Sequence, residues 1–144
     1  MEIIASSIFV ENQEETLQFY TDILGFEKKE DEPVGEGYRW IALASPNSSN
    51  KTQLILEPNG DPIAKDYQTR LFEAGIPITM FGVLDVHKEY EQLSQKDINF
   101  TVEPTKVGKN NMAIFDDTCG NLIQIIDKWL NKSNAYPVTW LKYC

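Results

Sequence analysis

The chain has 144 residues, 42% hydrophobic and 24% charged, the balance of an ordinary soluble globular protein long enough to bury a core without staples. Its net charge of −9, from 22 acidic and 13 basic residues, disfavours nucleic acid and suits either solubility or a cationic small molecule. No apolar run approaches the roughly 20 residues of a membrane span, the N-terminus lacks a basic leader pattern, and Cys119 and Cys144 form no disulfide framework, so the expected location is cytoplasmic.

The first predicted element is a strand over 3–10, rich in β-branched residues. A helix follows, with Asn12 as N-cap and Glu15 placed for a capping box. Leu17, Tyr20 and Leu24 share its apolar face, Gly25 ends it, and Phe26 packs back on it. A polar hairpin region punctuated by Pro33, Gly35 and Gly37 leads to strands over 38–44 and 53–57, joined by a turn-rich stretch over 45–50. A connector over 61–77 holds a short helix over 67–74, stopped by Gly75 and Pro77. Then come a strand over 78–83, a helix capped by Asp85 with Val86, Tyr90 and Leu93 on one face, and a Pro/Gly-punctuated segment over 103–108. A strand over 112–116 turns at Thr118-Cys119-Gly120-Asn121 into the last strand. The tail carries Trp129, Tyr136, Trp140 and Tyr143, a composition that packs on the body or on a partner subunit.

The two halves echo each other. Asn50-Lys-Thr-Gln53-Leu-Ile matches Asn121-Leu-Ile-Gln124-Ile-Ile, and Glu32-Pro33 matches Glu103-Pro104. Gln53 follows Pro33 by 20 residues, and Gln124 follows Pro104 by the same 20. Several matches in one order point to two copies of a βαβββ unit. The expected organisation is a first module over 1–60, the connector over 61–77, a second module over 78–127 and the tail over 128–144, one compact domain in all.

Three stretches carry a family resemblance: Phe19-Tyr20-x-x-Ile23-Leu24-Gly25-Phe26, Leu71-Phe-Glu-Ala-Gly-Ile-Pro77, and Asp116-Asp-x-x-Gly120-Asn121-x-x-Gln124. With the tandem repeat, they make residues 1–127 resemble the vicinal oxygen chelate superfamily of glyoxalase I, bleomycin-resistance proteins and extradiol dioxygenases. The resemblance implies an α+β fold in which tandem βαβββ modules form a cup-shaped mixed sheet around a central pocket. It also implies a homodimer.

Metal-using members of that superfamily place His in the first strand and Glu in the last strand of each unit, because Zn, Ni or Fe(II) wants imidazole and carboxylate donors converging on one point. Carried over, those positions fall on Ala5, Gln53, Ile78 and Gln124, with Thr79 replacing Ile78 if the register slips by one. None is His or a carboxylate, so no cofactor is expected. The single His87 sits in the first turn of a helix and reads as a solvated surface residue. Cys119 in its turn, and Ser6 and Ser7 on opposite faces of the first strand, have no base in view. Glu57 shares strand parity with Gln53, so it either points into the cup or starts the Glu57-Pro58-Asn59-Gly60 turn. Gln124 is either a satisfied core amide or a pocket residue.

The leading reading is a metal-free small-molecule-binding protein, in its specific form a drug-sequestering one. Its pocket is lined by Ser7, Phe9, Tyr38, Trp40, Gln53, Ile55, Glu57, Met80 and Gln124. Its ligand is small and organic, cationic or aromatic, as the charge and the resemblance suggest; nucleic acid and membrane are not expected partners. The alternative is a lyase, isomerase or dioxygenase acting on a small carbonyl or phenolic substrate, either with Zn, Ni, Mn or Fe held by Gln53 and Gln124, with or without Glu57, or with metal-free acid–base work by Glu57. A third reading makes the aromatic tail a docking surface.

Overall fold

The computed structural model describes residues 1–46 and 52–127, and the tail expectation lies outside them. Two units are resolved, residues 1–69 with 118–120, and residues 70–117 with the chain from 121 onward; the division falls inside the connector helix. Among the described residues no helix is long and apolar enough to cross a membrane.

In the first unit β1 (Ala5–Val10) runs into α1 (Gln13–Gln18), which continues as one wider π-helical turn over Phe19–Ile23. Asn12 has extended backbone, and its side chain accepts from the N–H groups of Glu14 and Glu15, which satisfies donors the first turn leaves unpaired. Gly25 leaves the helix at φ 78°, a conformation costly for any residue with a Cβ. Phe26 then donates its N–H to Tyr20 O and sets its ring 5.8 Å from the Tyr20 ring, the predicted back-packing. Next come β2 (Glu27–Gly35), β3 (Tyr38–Ala44) and β4 (Gln53–Pro58).

The sheet order is β1-β4-β3-β2, with β1 parallel to β4 and the other pairs antiparallel. Strand parity divides its faces. Ile8, Val10, Ile41, Leu43, Leu54 and Leu56 are buried on the side of α1, with Leu17 and Tyr20 among the buried helix residues. Each such side chain contributes roughly 1.5–3 kcal/mol relative to exposure.

The segment read as a polar hairpin region is β2, a strand of nine residues. Pro33 inside it removes a backbone donor, which an edge strand tolerates. The second unit repeats this: β6 (Phe100–Val107) holds Pro104 at the edge of the sheet β5-β8-β7-β6, and its register shifts between Val102 and Thr105. Its other strands are β5 (Thr79–Val83), β7 (Asn110–Asp116) and β8 (Leu122–Asp127), and its helix is α3 (Val86–Ser94), capped by Asp85 as predicted. On the α3 side, Phe100 meets Tyr90 edge-on at 4.7 Å and Phe115 at a tilt at 5.6 Å between centroids.

The connector helix α2 spans Pro62–Glu73 and so begins five residues before the predicted helix over 67–74. Pro62 suits the first helical position, and Asp61 accepts from the Ile63 N–H at 2.8 Å; that pair is the start signal of the helix.

Arg39 fastens the first unit on its helix side. Its Nε and Nη2 each donate to Asp31 at 2.7 Å, and its Nη1 donates to Glu14 at 2.6 Å. The Gln13 amide meanwhile accepts from Arg39 N and donates to the carbonyls of Arg39 and Leu56. The bidentate guanidinium, with Lys28 second, holds the Asp31 carboxyl down to about 2. A carboxylate depressed in the folded state adds stability above its unfolded pKa and loses it as pH falls. Arg39→Met should therefore cost about 1 kcal/mol at neutral pH, a figure kept small by solvent screening of a surface cluster. It should also flatten the decline in stability between about pH 4 and pH 2. Urea melts across that range check this; an unaltered acid limb in the variant counts against the assignment.

Candidate functional site

The face of the first sheet turned away from α1 carries the predicted pocket residues. The parallel ladder pairs Ala5 with Gln53, Ser7 with Ile55 and Phe9 with Glu57, and the antiparallel ladder pairs Ile55 with Ala42. The β3–β4 ladder ends there, where the Gln13 amide stands between the Arg39 and Leu56 backbones, and parity leaves Trp40 and Glu57 on the same face. Tyr38 follows on the same parity, and its phenol lies so close to Gly60 that a Cβ there would collide with it. Ile55 is buried, Gln53, Phe9 and Glu57 are half-buried, and Ser7, Tyr38 and Trp40 are exposed.

The second sheet presents Gln124 in the same way. The ladder sets it between Met80 on β5 and Ile114 on β7, on the face away from α3. Around it Met112, Ile114, Leu122 and Ile126 form a buried apolar cluster against which Met80, Val102 and Val107 pack. Sequence reasoning named Met80 and missed its aliphatic neighbours, although the parity of Met112 and Ile114 relative to the turn could have found them. It also missed Tyr67, whose ring meets Phe9 edge-on at 6.5 Å, and Glu30, whose carboxylate accepts from the Trp40 indole at 2.8 Å.

Both glutamine amides are unpaired among the described residues. Neither Gln53 nor Gln124 makes a side-chain hydrogen bond to any described residue, and both are half-buried. Gln124 is thus not satisfied by any described residue of the core. The rest of its motif has a structural explanation. The buried Asp117 carboxylate accepts from Asn121 N at 2.9 Å and from Asn121 Nδ2 at 3.0 Å, and Asp117 N donates back to Asn121 O at 3.0 Å. That loop closes the β7–β8 turn.

A metal has little to hold it at the mapped positions. On the ladder the residue beside Gln124 is Met80, as Ala5 is the residue beside Gln53; Ile78 precedes β5, and Thr79 faces the other way. Two amides and two apolar neighbours do not supply the imidazole and carboxylate donors that Zn, Ni, Mn or Fe would require. Among the described residues no three His, Cys, Asp or Glu side chains gather at one point. His87 is exposed in the first turn of α3, and Cys119 is buried, with Thr118 Oγ1 4.0 Å from its sulfur.

Comparison with known proteins is consistent across sequence and structure. Residues 3–125 match the Glyoxalase/Bleomycin resistance protein/Dioxygenase superfamily. The chain is 56% identical over 128 residues to the uncharacterized protein YurT of Bacillus subtilis, an alignment spanning 89% of this chain and all of that protein. Among solved structures it is similar to UcmS2 (TM-score 0.75, 28% identity, 89% of this chain and 98% of the other). It also shares its fold with TnmS3, an antibiotic binding protein from Streptomyces sp. CB03234 (TM-score 0.70, 21% identity, 90% and 97% covered).

Proposed function

We propose that this chain, which belongs to the Glyoxalase/Bleomycin resistance protein/Dioxygenase superfamily, binds a small organic molecule without a catalytic metal. The observation that carries this reading is the two half-buried amides without a partner among the described residues, Gln53 in one unit and Gln124 in the other. A free primary amide offers two donors and a neutral acceptor. Set among Ile55 and Phe9, or Met80 and Ile114, it is the placed polar group of a mostly apolar binding surface. Carboxylates at these positions would favour a cation at the same spot; amides favour hydrogen bonds to a ligand. Antibiotic binding by the similarly folded TnmS3 supports the drug-sequestering form of the reading. The same reading makes the protein a cytoplasmic homodimer.

Elemental analysis of protein purified without chelators tests the metal-free part. We expect no stoichiometric metal. One equivalent of Zn, Ni, Mn or Fe would overturn it in favour of a lyase, isomerase or dioxygenase, for which Glu57, on the same face as Gln53, is the acid–base candidate. Calorimetric titration with bleomycin and other cationic aromatic drugs tests the sequestering form, and uniform absence of heat would sink it. Light scattering tests the dimer, for which a monomer mass is the contrary result.

A further inference from the structure

We propose that the face of the second sheet turned away from α3 is a docking surface for the chain's own C-terminal segment, residues 128–144. The inference goes beyond the small-molecule reading and does not depend on it.

The burial of that face is the starting point. On β7 and β8, Ala113, Phe115, Ile123 and Ile125 face α3, while Met112, Ile114, Leu122 and Ile126 face the other way. Both sets are buried: the first is at most 2% exposed and the second at most 5%. A sheet covered on one face alternates buried and solvated side chains, whereas β7 runs buried without a break from Met112 to Phe115. The helix α3 accounts for one face only. It packs on β6, β7 and β8 from the Phe115 side, and among the described residues no second helix packs broadly on this sheet. Met80, Val102 and Val107 border the buried cluster but are only half-buried themselves, so they form its margin.

The segment after β8 has the position, length and composition to cover this face. The chain from 121 onward groups with the second unit. It leaves β8 at Asp127, the ladder partner of Val83 at the end of β5, and so starts at one end of the face. Its 17 residues would reach about 25 Å even if helical, against about 15 Å across four strands. Trp129, Leu130, Tyr136, Trp140, Leu141 and Tyr143 give it a large apolar surface. Its charged side chains are Lys128, Lys132 and Lys142, on a chain of net charge −9, so electrostatics also favours its return to the body. Of the two helix-free faces, the one in the first unit keeps Ser7, Tyr38 and Trp40 exposed.

The three methionines supply a probe, because Met1 is fully exposed and Met112 lies at the centre of the covered face. In hydrogen peroxide, followed by peptide mass spectrometry on the full chain, Met112 should oxidise about tenfold more slowly than Met1. Trp129→Ser/Trp140→Ser should bring Met112 to within about threefold of Met1 while the far-UV circular dichroism stays the same. A second full-length chain carries the photoreactive benzoylphenylalanine in place of Trp140. Irradiation should join position 140 to the peptide holding Met80 or Met112 of the same molecule. Met112 as reactive as Met1 in the unaltered chain would overturn the proposal, since the face would then be open. Equal protection of Met112 with and without the two tryptophans, together with no cross-link to either peptide, would assign the cover to another part of the molecule. A cross-link formed only between two chains would place a second copy's segment on the face and overturn it too. If the double variant loses its far-UV spectrum, the cross-link alone decides.

Discussion

Replacing Gln68 with Ala should destabilise the protein by about 3 kcal/mol, because several buried groups lose their partner together. Gln68 lies on α2 and is 3% exposed. Its Nε2 donates to Phe9 O at 2.8 Å and to Cys119 O at 3.2 Å, and its Oε1 accepts from Asn59 Nδ2 at 2.6 Å. One amide thus ties the helix to the end of β1, to the residue after β4 and to the loop over 118–120. The surroundings are built to its shape: Gly120 has φ 96°, and a Cβ there would stand 2.7 Å from the Gln68 amide nitrogen. Gln68→Leu should not rescue stability, since it too loses the bonds that the amide makes to the two carbonyls and to Asn59. Gln68→Glu keeps the acceptor, loses the donor and should fall between. Urea unfolding checks this by a lower midpoint at unchanged slope. A loss below about 1 kcal/mol for the Ala variant would mean that water replaces the amide freely.

Asp117→Ala should cost a similar amount, about 3 kcal/mol, for a related reason. Asp117 and Asn121 are both buried, and the carboxylate accepts two hydrogen bonds from Asn121 alone. Thr118, between them, holds a positive φ of 60°, which is costly without the surrounding bonds. Asp117→Asn retains one good acceptor and presents a donor to a donor at the other oxygen, so its loss should be smaller than that of Asp117→Ala. The turn also sets the register in which Asp116 faces Leu122 and Ile114 faces Gln124. Ligand affinity should therefore fall in Asp117→Ala even under conditions where it stays folded, measured by titration beside the unaltered protein.

Much of this fold was legible because local chemistry and repeat agreed. Asn12 and Asp85 announced their helices through cap chemistry, and both caps form. Gln53 and Gln124 stood out as polar residues at matched distances from a Glu-Pro pair, and each lies on the face of its sheet turned away from α1 or α3. The strands β2 and β6 were harder to read. Their charged, proline-bearing sequences look like loops, and only membership at a sheet edge makes Pro33 and Pro104 tolerable in a strand. The start of α2 lies five residues before the expected helix over 67–74, where Asp61 and Pro62 carry the start signal. Parity alone placed Ser7, Phe9, Ile55 and Glu57 on one face. It could not supply Tyr67 or Glu30, whose contacts with Phe9 and Trp40 depend on side-chain reach between separate elements.

The most direct test of a neutral, metal-independent binding site is a calorimetric titration of a cationic aromatic drug such as bleomycin, run with excess EDTA, on the unaltered chain and on Gln53→Ala. Stoichiometric binding that EDTA leaves intact and that Gln53→Ala weakens about tenfold is the predicted result. Binding or turnover that appears only when a divalent metal is returned, and that Gln53→Ala leaves untouched, would contradict it.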